Sequence, residues 1–377
     1  MKIILFEDSQ ALNFEPISLT RPVFDIRYGQ YTLLTRTEKL LPEESLELWT
    51  RDNLEDLVKS KYNQYIINEI PSEDSIWLNA RVIWDKNLIK KIIDSPSSIF
   101  IYDNILIGAN LNRSEAAEWL QAGGPKTMFH PSAEVHNLNN IPIVNYLWDF
   151  LNMIDQSVSE IDSSEIYDTH DDFVIIDESN GPVIIDKDVI IEPFTYLSGP
   201  LYIGKGCLIA SHSKIRKSVI GPYCKVGGEI SGSIFQGFSN KIHDGHLGDS
   251  FIGEWVNLGS GTTNSNLKNA YENVSMYIDG LDVQSEKLFL GSFIGDHSKT
   301  GIGTQLNTGT NIGPGCSIIA HSFPKNYIAP FTFCINRKEK KINFEQFIQT
   351  AITVKARKQQ LLSKEEKALF KELFLSR

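Results

Sequence analysis

The sequence predicts a two-part fold: an α/β domain in the first half and a parallel β-helix in the second, closed by a helical tail. Three observations predict it. An aliphatic beat with a period of six runs through the second half, at Ile185, Ile191, Leu197, Ile203, Ile209 and Ile215, then at Ile220 and Val226, at Ile252 and Leu258, and at Leu288, Ile294, Thr300, Leu306, Ile312 and Ile318. The first 165 residues instead alternate short β-branched runs with helical stretches. The last residues, from Asn343, return to helical spacing.

In the first domain, Ile3 to Phe6, Glu47 to Thr50, Tyr65 to Ile67, Ser75 to Leu78 and Ile99 to Tyr102 read as strands, with helices at Leu54 to Lys61 and Lys86 to Ile93. Alternation of this kind predicts a mainly parallel, Rossmann-like sheet. The acidic, polar stretch from Gln156 to Asp172 reads as a linker. Domain boundaries are expected at residues 1–165, 166–335 and 336–377.

The beat excludes an amphipathic helix, because its spacing is not three, four and seven. Glycine often follows the beat residue, as in Ile203-Gly204, Val226-Gly227 and Ile294-Gly295. A hexapeptide repeat places one aliphatic inward on each flat face of a coil, stacked on its equivalent in the next. Residues 227 to 250 lose strict phase, and residues 263 to 287 form an insertion longer than ordinary loops. In the tail, Phe344, Phe347, Ile348 and Ala351 share one helical face, and Ser363 with Glu366 forms a capping box before Leu369, Phe370, Leu373 and Phe374. Such helices suit the end of a β-helix, whose last strands have open edges.

The net charge of −11 argues against nucleic acid or a membrane surface as partner. Cys207, Cys224, Cys316 and Cys334 lie too far apart for a metal motif and read as reduced and buried. The apolar start, Ile3 to Phe6, is too short for a signal segment, so a cytoplasmic location is expected.

The densest polar cluster runs from Ser239 to Asp249 and leads into Trp255 to Asn266. Groups one or two coils apart meet at a β-helix corner, so His243, Asn257 and Asn266 are expected to converge. The pattern His243-x-x-His246-Leu247-Gly248-Asp249, then Asn257-Leu258-Gly259-x-Gly261-Thr262-x-x-x-Asn266, resembles the active-site signature of bifunctional N-acetylglucosamine-1-phosphate uridyltransferase/glucosamine-1-phosphate N-acetyltransferases. Nearly the whole chain is similar to a divergent branch of that family, through Thr20-Arg21-Pro22-Val23-x-Asp25-x-Arg27-x-Gly29 and Gly291-x-x-x-Gly295-Asp296-His297-Ser298-Lys299-Thr300-Gly301.

The resemblance implies a nucleotidyltransferase-like α/β domain and a left-handed parallel β-helix. It also implies a homotrimer with sites between subunits, and acetyl transfer from acetyl-CoA to an amino sugar phosphate. Carried over, His243 is the general base and Glu229 orients it, while Asn257, Asn266 and His246 contact substrate. Histidine suits the role because imidazole titrates near neutrality. The chain departs from the family where a tyrosine becomes His246 and a phosphate-binding lysine becomes Ser231, and a second lysine is missing near Lys268-Asn269-Ala270-Tyr271-Glu272. Lys241, Lys268 or Lys299 are the candidates to replace those charges.

In the first domain the resemblance implies binding of a nucleoside triphosphate and a sugar phosphate, with Mg²⁺. The expected Gly-rich loop is absent: the first strand runs into Glu7-Asp8-Ser9-Gln10, and Asn79 stands where a metal-binding aspartate is expected. Arg21, Asp25, Arg27 and Arg81 are the candidate nucleotide-binding residues. Three readings stay open: a bifunctional transferase, a nucleotidyltransferase with a structural β-helix, or a non-catalytic scaffold that binds a sugar nucleotide.

Overall fold

Strand β1 (Lys2–Phe6) alternates Ile3 and Leu5 on one side with Ile4 and Phe6 on the other, and all four are buried. A strand apolar on both faces belongs in the middle of a covered sheet. In the computed structural model, which describes residues 2–41, 45–162, 173–320 and 322–376, β1 lies between β2 (Leu46–Trp49) and β3 (Ser75–Asn79), parallel to both. With β4 (Ser98–Tyr102), β5 (Ile105–Leu111) and β6 (Glu134–Asn137), the sheet order is β2-β1-β3-β5-β4-β6. Trp77 sits at its core, edge-on to Phe6 and Trp119 at centroid distances of 6.2 and 5.0 Å.

Two sequence expectations change here. Tyr65 to Ile67 contributes only the isolated bridge Leu48↔Ile67. Strand β5, not anticipated, runs antiparallel to both β3 and β4. It forms a hairpin with β4 through Asp103 and Asn104, both left-handed at φ 52° and 62°. That backbone pair is the tight-turn conformation that Asp and Asn tolerate. This unit comprises Met1–Phe14, Arg21–Ile26 and Tyr31–Asn145.

The second unit comprises Glu15–Thr20, Arg27–Gln30 and Tyr146–Arg377. Its parallel ladders stack coil on coil: Ile190 pairs with Leu208, Leu208 with Lys225, Lys225 with Asn240, and Asn240 with Asn257. Those partners are 18, 17, 15 and 17 residues apart, so each coil comprises about three hexapeptides. The coil strands form three faces. One carries Tyr196–Ser198, Lys214–Arg216, Glu229–Ser231 and His246–Gly248; a second, the strands containing Ile203, Ile220, Phe235, Ile252 and Ile294; a third, Ile190–Ile191 through Asn257–Leu258 to Lys299–Thr300. Beat residues fill the interior, with Ile203, Ile209, Ile215, Ile294, Leu306, Ile312 and Ile318 wholly buried.

The beat also continues where it looked broken. Ile230, Phe235, Leu247 and Ile252 all point into the same core, and Lys241 occupies the slot in register with Val226. Shortened coils and one charged residue hid the phase. Leu288, by contrast, is 37% exposed and outside the core.

A column of aromatic corners supports the coils. Tyr223, Phe238, Trp255, His297 and Phe331 all adopt φ between 54° and 61°. Left-handed backbone is costly for bulky residues, and ring stacking compensates here. Successive centroids lie 5.1, 4.5 and 6.1 Å apart from Tyr223 to His297. The helices Phe344–Ala356 and Lys364–Ser376 pack on this column, Phe347 and Phe370 meeting the His297 ring edge-on. The capping box of Ser363 and Glu366 is formed. The open edge of the last coil is covered by an antiparallel strand, Lys338–Lys341 on Thr332–Ile335, rather than by a helix.

The helices Leu147–Asn152 and Ile154–Ser159 also belong to this unit, Trp148 and Phe150 packing on Phe293 and Phe251. Residues 156–159 of the expected linker are therefore helical; residues 163–172 lie outside the described part. The insertion forms a hairpin, Val274–Ile278 with Leu281–Lys287, that folds back on its own coils: Asn311 donates to the Tyr277 carbonyl at 2.8 Å.

Candidate active site

His243 sits exposed on the corner that joins the third face to the first. Lys241 is its anchor. Only 2% exposed, Lys241 points inward and donates to the carbonyl oxygens of His243 at 2.6 Å and of Gly227 and Asp244 at 3.3 Å. Burial pulls the ammonium down to about 8, against a smaller opposing effect of Asp244. Lys241 therefore shapes the turn under His243 and cannot hold a substrate on the surface, as the sequence had suggested.

Beyond the turn, His246 and Gly248 face outward on either side of buried Leu247. Gly248 lets two polar side chains close over its backbone. A Cβ there would fall 2.6 Å from His246 Nε2 and 2.7 Å from Asn266 Nδ2, so the two polar groups already occupy that space. Asn266 donates to Asp249 Oδ2 at 2.6 Å, which fixes its amide. Burial raises Asp249, countered by that hydrogen bond and by the nearby His246 and Lys217. Glu229 stands one coil from His246 in register and is ion-paired to Arg216. On the third face, Asn257 accepts from Asn240 Nδ2 at 2.7 Å and stacks in register on Lys299.

Thus the structure gathers His246 and Asn266 around Gly248, with Glu229 one coil away, and leaves His243 on the corner with Asn257 on the adjoining face. The expected meeting of His243, Asn257 and Asn266 is divided between two faces of one chain. Lys268 donates to its own loop at Asn273 O, 2.8 Å away. Sequence reasoning passed over Gly248 and Asn264. Asn264 fills an inward slot and brackets Gly248, accepting from its N–H at 2.9 Å and donating to its carbonyl at 3.1 Å. The interruption of the beat by Lys241 and Asn264 was the available signal.

In the first unit, Arg81 is fully buried and grips Asp8: Nη2 lies 2.6 Å from Oδ2, and Nε lies 3.0 Å from both carboxylate oxygens. Its Nη1 donates to Val144 O and Asn145 Oδ1. Arg21 and Asp25 come together at 3.6 Å, and Asp25 also accepts from Lys61 and Tyr62. Arg27 belongs to the β-helix unit, where Nε donates to Gln236 O at 2.8 Å and Nη1 to Gln30 O at 2.9 Å. The cleft at the end of β1, between Asp8, Trp119, Phe129 and His130, has a volume of about 20 Å³; small-molecule sites span roughly 300–1,000 Å³. Mg²⁺ does not fit the residues here, since both Asp8 oxygens face Arg81 and Asn79 is neutral and donates its own amide to Asp8. Among the described residues, no group of three or more His, Cys, Asp and Glu is placed to hold a metal.

With this geometry in place, the comparisons are specific. Residues 3–162 match the sugar nucleotidyl transferase family model. A bifunctional sugar-1-phosphate nucleotidylyltransferase/acetyltransferase of Sulfurisphaera tokodaii is 33% identical over 136 residues, covering 35% of this chain and 34% of that protein. The bifunctional protein GlmU of Synechococcus elongatus is 28% identical over 206 residues, 45% of this chain and 41% of that protein. GlmU of Methanococcus vannielii is 35% identical over 111 residues, 29% of this chain and 27% of that protein. The matches thus span between about a quarter and two fifths of these relatives. A solved Bacillus cereus putative acetyltransferase overlaps 54% of this chain and 91% of its own at 13% identity, with a TM-score of 0.24, too low to carry weight. Residues 3–162 are thus similar to sugar nucleotidyl transferases, and stretches of the chain are similar to bifunctional sugar-1-phosphate nucleotidylyltransferase/acetyltransferases.

Proposed function

We propose that this protein is a transferase of sugar-nucleotide biosynthesis whose β-helix moves an acetyl group from acetyl-CoA to an amino sugar or its phosphate. The observation that carries the reading is the exposed His243 turn, locked from inside by Lys241, beside His246 and Asn266 where they close over Gly248. His243 Nδ1 or Nε2 takes a proton from the sugar amine as that nitrogen attacks the thioester carbonyl. The carbonyl oxygen gains charge and needs donors fixed in advance; the Asn266 amide and the coil N–H groups supply that chemistry. The C–S bond then breaks and CoA leaves as the thiol, taking up the proton held by His243. His246 and Asn257 orient the acceptor from the two faces that flank His243.

Nucleotidyl transfer to a sugar 1-phosphate is the matching proposal for the first unit, with a nucleoside triphosphate as donor. A specific observation favours a second reading there: the Asp8–Arg81 pair and the cleft of about 20 Å³ describe a filled site, suited to a domain that holds structure rather than nucleotide. A homotrimer in the cytoplasm completes the proposal, and no helix among the described residues is long and apolar enough to cross a membrane. Purified protein given glucosamine 1-phosphate, acetyl-CoA, UTP and Mg²⁺ tests both halves at once. Free thiol reports acetyl transfer and pyrophosphate reports nucleotidyl transfer. His243→Ala is expected to lower thiol release by roughly 10²–10⁴-fold.

A further inference from the structure

The corner that carries His243 is built to two different lengths. Four residues turn it between Ile209 and Lys214, and again between Lys241 and His246, but only Gly227 and Gly228 turn it between Val226 and Glu229. Glycine suits so tight a turn: a Cβ on Gly227 would fall 2.1 Å from the Ile242 carbonyl oxygen, and Gly228 is left-handed at φ 79°. The longer corners on either side, Ser211-His212 and His243-Asp244, therefore flank a recess, and all four residues are exposed. Two strand spacings of about 4.8 Å set these corners roughly 10 Å apart, room for one flat ring between them. On the His212 side the recess continues into a ladder of rings. Phe194 packs on His212 at a centroid distance of 5.2 Å, and Phe173 on Phe194 at 5.5 Å. Phe194 is 61% exposed, and both it and His212 hold left-handed backbone, at φ 63° and 62°. The Tyr223–Phe331 column bears the same backbone cost under a cover of C-terminal helices; Phe194 and His212 bear it with their rings open to solvent. Lys214 follows the corner on the first face, in register with Glu229. It is exposed, and no carboxylate pairs with it among the described residues.

We propose that the acceptor of the acetyl group is a nucleoside diphosphate amino sugar, its amine at His243, its diphosphate crossing the shortened coil beside Lys214, and its base in the recess against His212 and Phe194. The inference rests on the reading of His243 as the base of acetyl transfer, and the bonds made and broken are those given above. It names what the acceptor carries beyond its sugar. A sugar with one phosphate crosses roughly one strand spacing of about 4.8 Å and leaves the rings bare; a second phosphate and a ribose carry a base across the next. Lys214 offers the added phosphate a charged donor. Stacking on aromatic rings tolerates any base, so the recess selects a class of acceptor rather than one nucleotide. Asp244, on the far wall, offers an acceptor for a base N–H.

Thiol release from acetyl-CoA, measured on the full chain with UDP-glucosamine and with glucosamine 1-phosphate, tests it, together with calorimetric titration of UDP. A kcat/KM at least about tenfold higher for UDP-glucosamine is expected, the scale of one base stacked on a ring. The double variant Phe194→Ala/His212→Ala should lose most of that advantage and bind UDP about tenfold more weakly or worse. Both side chains are exposed, so its melting temperature should stay near that of the native chain. Inserting Ser-Asn between Gly227 and Gly228 restores a four-residue corner, fills the recess, and should weaken UDP in the same way. Equal kcat/KM for the two acceptors, or UDP binding that neither variant weakens, would overturn the proposal. No thiol from either acceptor would instead overturn the reading of His243. The UDP titrations then still decide the recess: weaker binding in both variants upholds it as a nucleotide site, and absent or unchanged binding overturns it.

Discussion

The Lys241 ammonium lies 2.6 Å from the carbonyl oxygen of His243, inside a β-helix whose equivalent slot one coil earlier holds Val226. A charged group in an aliphatic column is costly unless it is fully hydrogen-bonded, and three backbone carbonyls meet that need. The lysine couples the interior of the coil to the backbone of the proposed base.

This coupling predicts a pH signature. The folded value of about 8 lies below the ordinary 10.5, so between those values the folded chain binds fewer protons than the unfolded one. Stability gained from this group therefore rises from about pH 8 to 10.5, by about 3 kcal/mol at most. Below pH 8 the ammonium is charged in both states and the burial penalty is fully present. Lys241→Met should remove that slope from the native-minus-variant difference in urea unfolding. The same variant should lose on the order of 10- to 100-fold in kcat for acetyl transfer, because the turn beneath His243 is released. Equal slopes for the two proteins would count against the coupling.

Gly248→Ala disturbs the two side chains that close over this glycine. The added Cβ would sit 2.6 and 2.7 Å from His246 Nε2 and Asn266 Nδ2, forcing both side-chain ends aside. The acceptor KM should rise about tenfold or more, and the melting temperature should fall, because Gly248 is buried and Asn266 is bonded to Asp249. A variant with native KM would show that acceptor does not use His246 and Asn266.

Arg81→Ala should destabilise the chain by about 3–5 kcal/mol, since it strands the Asp8 carboxylate it now grips. Arg27→Ala should cost about 1–3 kcal/mol for each carbonyl left unpaired, at Gln236 and Gln30. Denaturant midpoints check both. UTP titration of the Arg27 variant should match the native chain, in contrast to the nucleotide role that its motif suggested.

Trp255→Ala breaks the aromatic column at its tightest step, 4.5 Å from Phe238, and removes the ring beneath Lys355. The expected loss is about 3–5 kcal/mol, read by thermal unfolding.

The β-helix was legible because inward aliphatics must repeat where coils repeat. What escaped was every position where the repeat used another residue type: Phe235, Lys241 and Asn264 occupy inward slots without looking aliphatic. Strand β5 escaped because its signal was an Asp103-Asn104 turn rather than a β-rich boundary. Thr20 and Asp296 were visible within motifs, but not as partners. Thr20 Oγ1 lies 2.6 Å from Asp296 Oδ2, a contact across 276 positions that no local pattern encodes. His243 was legible by type and neighbourhood; its separation from Asn257 by a coil corner depends on coil length, and the coils here shorten to 15 residues.

The most direct test of the central claim is thiol release from acetyl-CoA in the presence of glucosamine 1-phosphate, measured for the native chain and His243→Ala side by side. Native turnover with a loss of roughly 10²–10⁴-fold in the variant is the predicted result. Equal turnover in both proteins would contradict the assignment of His243 and leave the β-helix without its proposed base.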